Sequence, residues 1–285
     1  MLSYRHGFHA GGFADVHKHI ALMLMLRSLL NKDTPFCCLD THAGAGEYDL
    51  RGRFAQTGRE YETGIGRLWG RPDPPEIVAD YLAAVRLFNH SRSGSEEPLR
   101  YYPGSPRLIQ SLLRPRDRMI LVERHNTDAP LLRRAFARDA RVAVHHRDGY
   151  EALPALVPPA ERRGLVFIDP SFELKNEFHL AVDTLAQAWR KWPTPPYLLW
   201  YPVQALRPLP AFHRALKRSG ITRILIAELM VAPDDTPNRL SGSGLVIVNP
   251  PWHFAGRLRQ AQDWIGPLMD RGARAGSRVE WLVRE

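Results

Sequence analysis

The residues best suited to chemistry follow Gly164 to Ile168, an apolar run typical of a buried strand. Asp169, Pro170 and Phe172 come next in the chain. A carboxylate oxygen and a backbone carbonyl at that point can accept both hydrogens of an exocyclic adenine amine, whose lone pair is otherwise delocalised into the ring. The segment therefore predicts that Asp169 and Pro170 polarise an adenine amine and that Phe172 stacks on the base. Asp-Pro also ends strands as a simple turn, and that alternative stays open here.

Three further features lie at the ends of predicted strands, in the order that an adenosine-type cofactor requires. The run Phe36 to Asp40 leads into a turn that contains Gly44 and Gly46, where a ligand can approach the backbone closely. No third glycine follows in the dinucleotide spacing, which counts against NAD. Glu123 ends the next predicted strand and can accept hydrogen bonds from both ribose hydroxyls. Asp148 follows the strand after that and can receive an adenine amino group, although each acid alone also suits a strand-end cap.

A second sequence of the same type, Asn249-Pro250-Pro251-Trp252, follows the run Leu245 to Val248. We expect this last long strand to be antiparallel, so its carboxyl end would lie away from the cofactor edge. Asn-Pro-Pro is also a sound turn signal. The sequence therefore favours a structural turn at Asn249 and a catalytic site at Asp169.

Short apolar runs alternate with helical patterns over most of the chain, which indicates a parallel sheet covered on both faces. We expect strands at 36–40, 119–123, 142–146, 165–169, 197–201, 223–230 and 244–249. We expect helices at 14–30, 75–89, 130–139, 150–156 and 177–192, the first packed on one face. Five parallel strands followed by an antiparallel final pair is the layout of the seven-stranded methyltransferase sheet. The fold class is α/β, Rossmann-like.

Residues 47–99 break this alternation, because they are charged, carry Gly and Pro, and hold one amphipathic segment. We interpret them as a helical insertion after the first strand. Residues 1–46 and 100–285 would then form one Rossmann-like domain that includes the N-terminal tail and helix.

Composition points to a nucleic-acid partner, because 39 Lys and Arg against 30 Asp and Glu give a formal charge of +9. The only cysteines, Cys37 and Cys38, are adjacent in an apolar run and are predicted to be buried thiols in a reducing compartment. The first residues lack signal-peptide order, and the longest apolar stretch, Ile20 to Leu26, is too short to span a bilayer. We therefore expect a cytoplasmic protein that does not bind membranes.

Five motifs together make the chain resemble a known family. They are Tyr4-Arg5-His6-x-Phe8-His9-Ala10-Gly11, Ala14-Asp15-Val16 with Lys18-His19, Leu39-Asp40-Thr41-His42-Ala43-Gly44-Ala45-Gly46, Tyr101-Tyr102-Pro103-Gly104-Ser105-Pro106 and Leu199-Trp200-Tyr201-Pro202. In these residues the chain resembles the bacterial RlmJ family, the adenine-N6 methyltransferases of 23S ribosomal RNA. The resemblance runs through Asn249-Pro250-Pro251-Trp252 and is weakest between residues 51 and 99.

The resemblance implies S-adenosylmethionine as the methyl donor, with S-adenosylhomocysteine as product. Cofactor contacts would fall on His19, His42, Ser105, Glu123, Asp148, Gly149 and Asp169. Tyr4 in the N-terminal tail, with His6 and Lys18, would meet the RNA. The substrate would be naked or early precursor 23S RNA, and the enzyme would act as a monomer with no obligate protein partner.

We expect no metal site, since of the four early histidines only His17 and His19 are close, on opposite sides of a helix, without an acid-rich partner set. One departure from the family concerns Ser171, which stands where the family usually has a second proline, while Phe172 replaces tyrosine. A proline there restricts its own φ and the preceding residue, so its loss frees the Pro170 carbonyl. Two alternatives therefore remain: a DNA adenine-N6 methyltransferase, and a catalytically silent RNA-binding homologue.

Overall fold

The computed structural model describes residues 5–204, 209–232, 240–270 and 276–285. In these ranges the strands are β1 (Cys37–Asp40), β2 (Glu47–Asp49), β3 (Tyr101–Pro103), β4 (Arg118–Glu123), β5 (Val142–His146), β6 (Gly164–Ile168), β7 (Tyr197–Val203), β8 (Ile224–Met230), β9 (Gly242–Val248) and β10 (Gly276–Val283). The α-helices there are α1 (Phe13–Leu30), α2 (Arg53–Gly58), α3 (Glu60–Thr63), α4 (Ile65–Leu68), α5 (Glu76–Ser93), α6 (Ser105–Leu112), α7 (Asp128–Phe136), α8 (Gly149–Leu156), α9 (Glu177–Lys191), α10 (Leu209–Arg218) and α11 (Phe254–Met269). A short 3₁₀ turn, His6–Phe8, precedes α1.

The main sheet has eight described strands in the order β10-β8-β9-β7-β6-β1-β4-β5. Neighbours from β5 to β7 are parallel, while β9 runs antiparallel to both β7 and β8. The α/β, Rossmann-like class is confirmed, and so is the antiparallel pairing of the last two predicted strands. The expected number of strands was one too low, because β10 adds an eighth strand beside β8. Most of β10 is exposed, as an edge strand is, and its polar composition gave no apolar run to recognise.

Six strands, β1 and β4 to β8, run in the same direction, so their carboxyl ends meet at one edge of the sheet. Asp40, Glu123 and Ile168 are the last residues of β1, β4 and β6, which are neighbours. The predicted chemistry-bearing residues at these strand ends therefore share an edge, which we call the catalytic edge.

Helix α1 is buried on nearly every side, with 14 of its 18 residues inaccessible. The expectation that it packs on one face was wrong. It lies between the sheet strands β6 and β9 and the helices α5, α6 and α11. A helix that is apolar all round belongs to a core, and this burial carries Asp15 and Lys18 inside the protein.

Residues 47–99 contain β2 and the helices α2 to α5, and β2 pairs with β3 just beyond this stretch. The buried Asn89 closes the following loop, because its amide group donates to the carbonyls of Ser95, Glu96 and Pro98. Helix α5 packs against α1 and so joins the stretch to the main core. No helix in the described ranges is long and apolar enough to cross a membrane.

Candidate active site at the catalytic edge

A cleft of about 700 Å³, partly open to solvent, lies over the carboxyl ends of β1, β4, β5 and β6. The lining residues are His6, His42, Gly44, Glu123, Arg124, His125, Asp128, Asp148, Gly149, Tyr150, Asp169, Ser171, Leu174 and Glu177. Five of them are carboxylates and one is a guanidinium, so the cleft suits a cationic ligand.

The turn after β1 is held to the end of β4 by Glu123. One carboxylate oxygen of Glu123 accepts the backbone N–H of Gly44 at 2.7 Å, and the other accepts that of His125 at 2.6 Å. Burial raises the pKa of Glu123, and the two amide bonds partly offset that rise. Gly44 has a φ of 60°, which favours glycine. Gly46, with φ 81°, instead packs near Leu132 and does not line the cleft.

The turn after β5 is equally fixed, because Asp148 caps α8. Its Oδ1 accepts the backbone N–H of Tyr150 at 2.8 Å, and its Oδ2 accepts Arg124 Nη1 at 2.6 Å. Gly149 passes so close to the β1 turn that an added Cβ would lie 2.3 Å from the Thr41 carbonyl oxygen. A larger residue at position 149 would therefore push the two turns apart.

His42 lines the cleft beside Gly149, and its Nδ1 lies 2.7 Å from the Thr41 hydroxyl. Burial lowers the pKa of His42 to about 4, so the ring is neutral at pH 7. A neutral imidazole leaves the negative character of the cleft unchanged.

A chain of buried ionic contacts reaches Asp169 from the N-terminal segment. Lys18 Nζ lies 2.6 Å from Asp169 Oδ2 and 2.8 Å from Asp15 Oδ1. Asp15 Oδ2 in turn lies 3.0 Å from His6 Nε2 and accepts the Gly11 N–H at 2.9 Å. Together these contacts fix the carboxylate of the catalytic candidate Asp169 from the side of the buried helix α1.

Burial alone would raise the pKa of Asp15, but His6 and Lys18 outweigh it and hold that pKa well below its usual range. Burial alone would lower the pKa of Lys18, but Asp15 and Asp169 more than compensate and raise it. Lys18 is 3% exposed, so in this conformation it cannot be the direct RNA contact that was expected. Its ammonium group holds Asp169 instead.

Ser105 and His19, which the resemblance implied as cofactor contacts, are buried and do not line the cleft. The Ser105 hydroxyl donates to Asp40 Oδ2 at 2.6 Å. Burial raises the pKa of Asp40 to about 7, against this hydrogen bond. His19 Nδ1 lies 2.8 Å from the Tyr102 hydroxyl, and burial lowers the pKa of His19 to about 3. Ser105 therefore holds the end of β1, and His19 contacts β3.

The loop after β6 directs some of its residues into the cleft and others into the core. Asp169 and Ser171 line the cleft, whereas Pro170 is buried. Phe172 is 1% exposed, and its ring centroid lies 4.6 Å from that of Phe178. The ring of Phe172 is therefore turned into the core in this conformation, and stacking on a base would require the loop to move. Its φ of 54° is unusual for a bulky residue.

Asn249 lies at the opposite edge of the sheet, because β9 is antiparallel and Val248 pairs with Tyr197 at the start of β7. The Asn249 side-chain amide donates to the Pro193 and Pro195 carbonyls at 2.8 and 3.0 Å. The predicted position of this turn, away from the catalytic edge, is confirmed.

Several residues of the site escaped the sequence argument: Asp15, Asp128, Tyr150 and Glu177. Asp15 was detectable in principle, because it precedes Lys18 by one helical turn and so faces the same side. Tyr150 and Glu177 pair at 3.1 Å across α8 and α9, a contact that only tertiary packing creates. Tyr4 lies outside the described residues.

Known proteins resemble this chain in sequence and in fold. Residues 33–283 match the family model described as ribosomal RNA large subunit methyltransferase D, RlmJ. The chain is 41% identical to ribosomal RNA large subunit methyltransferase J of Escherichia coli strain K12 and 40% identical to that of Haemophilus influenzae, over the full length of each protein. A crystal structure of a Legionella pneumophila protein superposes with a TM-score of 0.87 at 34% identity, covering 96% of this chain and 98% of that one.

Proposed function

Because the chain belongs to the RlmJ family of ribosomal RNA large subunit methyltransferases, we propose that it methylates the N6 amine of one adenine in 23S ribosomal RNA with S-adenosylmethionine as donor. The observation that carries the proposal is the position of Asp169, a carboxylate fixed by a buried ammonium at the edge of an acidic cleft. The N–CH3 bond forms as the S–CH3 bond of the donor breaks, so the products are N6-methyladenosine, S-adenosylhomocysteine and one proton released from the amine.

The residues of the cleft fit the cofactor. Glu123 can accept from ribose hydroxyls while it keeps its two amide bonds, since a carboxylate has about four acceptor sites. Asp148 and the closely packed Gly149 border the same space, where Asp148 would receive the adenine amino group of the cofactor. The bound cofactor supplies an electrophilic methyl group on a sulfonium, whose positive charge the five carboxylates favour. We assign His19, Ser105 and Gly46 to the shell that supports the β1 turn, and His42 and Gly44 to direct contact.

In the proposed reaction Asp169 and the Pro170 carbonyl accept the two hydrogens of the target amine. That arrangement draws electron density onto the nitrogen and favours a pyramidal geometry. Lys18 keeps the Asp169 carboxylate in place through its 2.6 Å contact, so little reorganisation is needed when the amine arrives. Phe172 would stack on the base only after residues 170–173 turn outward, and we assign this movement to RNA binding. A target base in a stem must also leave its stack to reach the cleft.

Tyr4 and His6 belong to the segment that would meet the RNA. His6 lines the cleft and contacts Asp15, which in turn contacts Lys18. A displacement of this segment by RNA would therefore change the position of Lys18. We also propose that residues 47–99 act as an insertion subdomain beside the cleft, and that the enzyme works as a cytoplasmic monomer on naked or early precursor RNA.

The experiment that tests the proposal is transfer of labelled methyl to unmodified 23S RNA, followed by digestion to nucleosides. We expect label in N6-methyladenosine, with less label from finished large subunits and none from DNA of the same sequence. Label in DNA instead would establish the DNA methyltransferase. Cofactor binding without transfer to any of these substrates would establish the silent RNA-binding homologue, with Ser171 as the first residue to restore to proline.

A further inference from the structure

The positive charge of this protein lies away from the catalytic edge. Six segments lead into the same-direction strands and therefore meet at the opposite edge, which we call the basic edge: residues 31–36, 113–118, 137–141, 157–163, 190–196 and 217–223. They hold thirteen Lys and Arg against four Asp and Glu, a net charge of +9. This equals the formal charge of the whole chain, so the rest of the protein is neutral on balance.

Most of these cations are free to bind a ligand. Ten of the thirteen are exposed, and none of the ten forms an ion pair with another described residue. Lys32, Arg116, Arg162 and Arg190 belong to this set and precede four neighbouring strands, β1, β4, β6 and β7. The loops of β1, β4 and β6 border one shallow groove, which Arg116 lines.

Two other parts of the described surface do not offer such attraction. The catalytic cleft carries five carboxylates and one Arg, as described above. Residues 47–99 carry nine Asp and Glu against seven Arg. A polyanion that docks on this protein through long-range attraction would therefore be drawn first to the basic edge.

The two edges are too far apart for one nucleotide to contact both. Arg162 and Asp169 lie beyond opposite ends of β6, whose five residues alone span roughly 13 Å at 3.3 Å per residue. An RNA that places its adenine at Asp169 must use another part of its length to reach Arg162. We propose that the basic edge binds the phosphate backbone of a second segment of the ribosomal RNA substrate, an inference that rests on the proposed function.

An exposed aromatic ring at the same edge favours nucleic acid over other polyanions. Trp252 is 87% exposed, three residues beyond Asn249. Asn249 is tied to the segment before β7 through Pro193 and Pro195, and its N–H donates to the Arg223 carbonyl before β8. The ring is thus presented from a turn that is fixed to the segments before β7 and β8, which carry Arg190, Lys191 and Arg223. An aromatic face at a basic edge suits an unpaired base and its phosphates.

The test compares two triple variants of the full chain, each of which removes three positive charges. The first changes Lys32, Arg116 and Arg162 to Gln. The matched control changes three exposed arginines elsewhere, Arg71, Arg214 and Arg259, to Gln. The probes are a full-length 23S transcript and a short stem-loop cut around the methylated adenine, measured for binding with S-adenosylhomocysteine present and for methyl transfer.

We expect the basic-edge variant to bind the full transcript about tenfold or more weakly at moderate salt, with the log–log salt slope reduced by up to about 3. The basic-edge variant should transfer methyl to the short stem-loop at the parent rate. The Trp252→Ala variant should bind the full transcript more weakly but bind the short stem-loop as the parent does. The control variant should behave as the parent in every arm.

Equal weakening in both triple variants would overturn the proposal, because only net charge would then matter. Unchanged affinity of the basic-edge variant for the transcript would also overturn the proposal. The same holds if the basic-edge variant loses binding to vesicles of anionic phospholipid but keeps its binding to RNA. If neither the parent nor any variant transfers methyl, but the basic-edge variant still binds the transcript more weakly than the control, only the proposed function is refuted.

Discussion

Replacing Asp15 by Asn tests whether the buried chain from His6 to Asp169 works as a unit. The substitution keeps the shape of the side chain and an oxygen for the Gly11 N–H, but removes the negative charge that Lys18 and His6 contact at 2.8 and 3.0 Å. Breaking a buried ion pair costs about 3–5 kcal/mol. Lys18 keeps Asp169 as a partner, so we take the lower end, about 3 kcal/mol of unfolding free energy. For a chain of 285 residues this corresponds to a fall in Tm of about 5 °C.

The stability difference between parent and Asp15→Asn should depend on pH in a defined way. The pKa of Asp15 is lowered in the folded protein, so its contribution is complete above the ordinary value of 3.8 and is lost as the pH falls through the lowered value. The pKa of Lys18 is raised, so its contribution is complete below 10.5 and is lost only above its raised value. We therefore expect the difference in Tm between parent and variant to narrow in strong acid, where the Asp15 carboxylate becomes protonated.

Activity should fall together with stability, because a displaced Lys18 no longer fixes Asp169. We expect kcat to drop about tenfold or more, with KM for S-adenosylmethionine nearly unchanged. The assays are thermal melting by circular dichroism from pH 3 to 9 and methyl transfer at a temperature well below both transitions. Asp183→Asn, an exposed carboxylate on α9, is the matched control. A Tm and a kcat for Asp15→Asn equal to those of Asp183→Asn would refute the reasoning.

Two further substitutions test the close packing of the site. Gly149→Ala places a methyl group 2.3 Å from the Thr41 carbonyl oxygen. We therefore expect calorimetric titration to show that S-adenosylhomocysteine binds about tenfold or more weakly. Unchanged affinity would contradict the packing argument. Phe172→Ala removes a ring buried against Phe178, so chemical denaturation should show a loss of about 3–5 kcal/mol; a loss below about 1 kcal/mol would mean that the ring faces the cleft in solution.

The residues of the catalytic edge were largely predictable, because an acid or glycine that follows a buried strand has a defined place in a parallel sheet. Asp169, Glu123, Asp148 and Gly44 needed only strand direction to be placed around one cleft, and the structure brings all four to its lining. Strand direction also separated Asn249 from Asp169, although the two loops are of the same sequence type.

Side-chain orientation was not predictable in the same way. Phe172 turns into the core because Phe178 and Trp200 offer it an apolar site, and neither neighbour is adjacent in sequence. Lys18 was expected to meet the RNA because of the family resemblance, but α1 is buried nearly all round and two carboxylates compensate the charge of Lys18. The concentration of cations at the basic edge likewise depends on which loops the topology brings together, and no single segment shows it.

The most direct test of the central claim compares Asp169→Asn with Asp183→Asn in methyl transfer to unmodified 23S RNA, with S-adenosylhomocysteine binding measured on the same samples. The account predicts that Asp169→Asn loses at least about a hundredfold in kcat while binding the ligand within a few fold of the parent, and that Asp183→Asn matches the parent in both. N6-methyladenosine formed by Asp169→Asn at the parent rate would contradict the assignment of Asp169 as the catalytic residue.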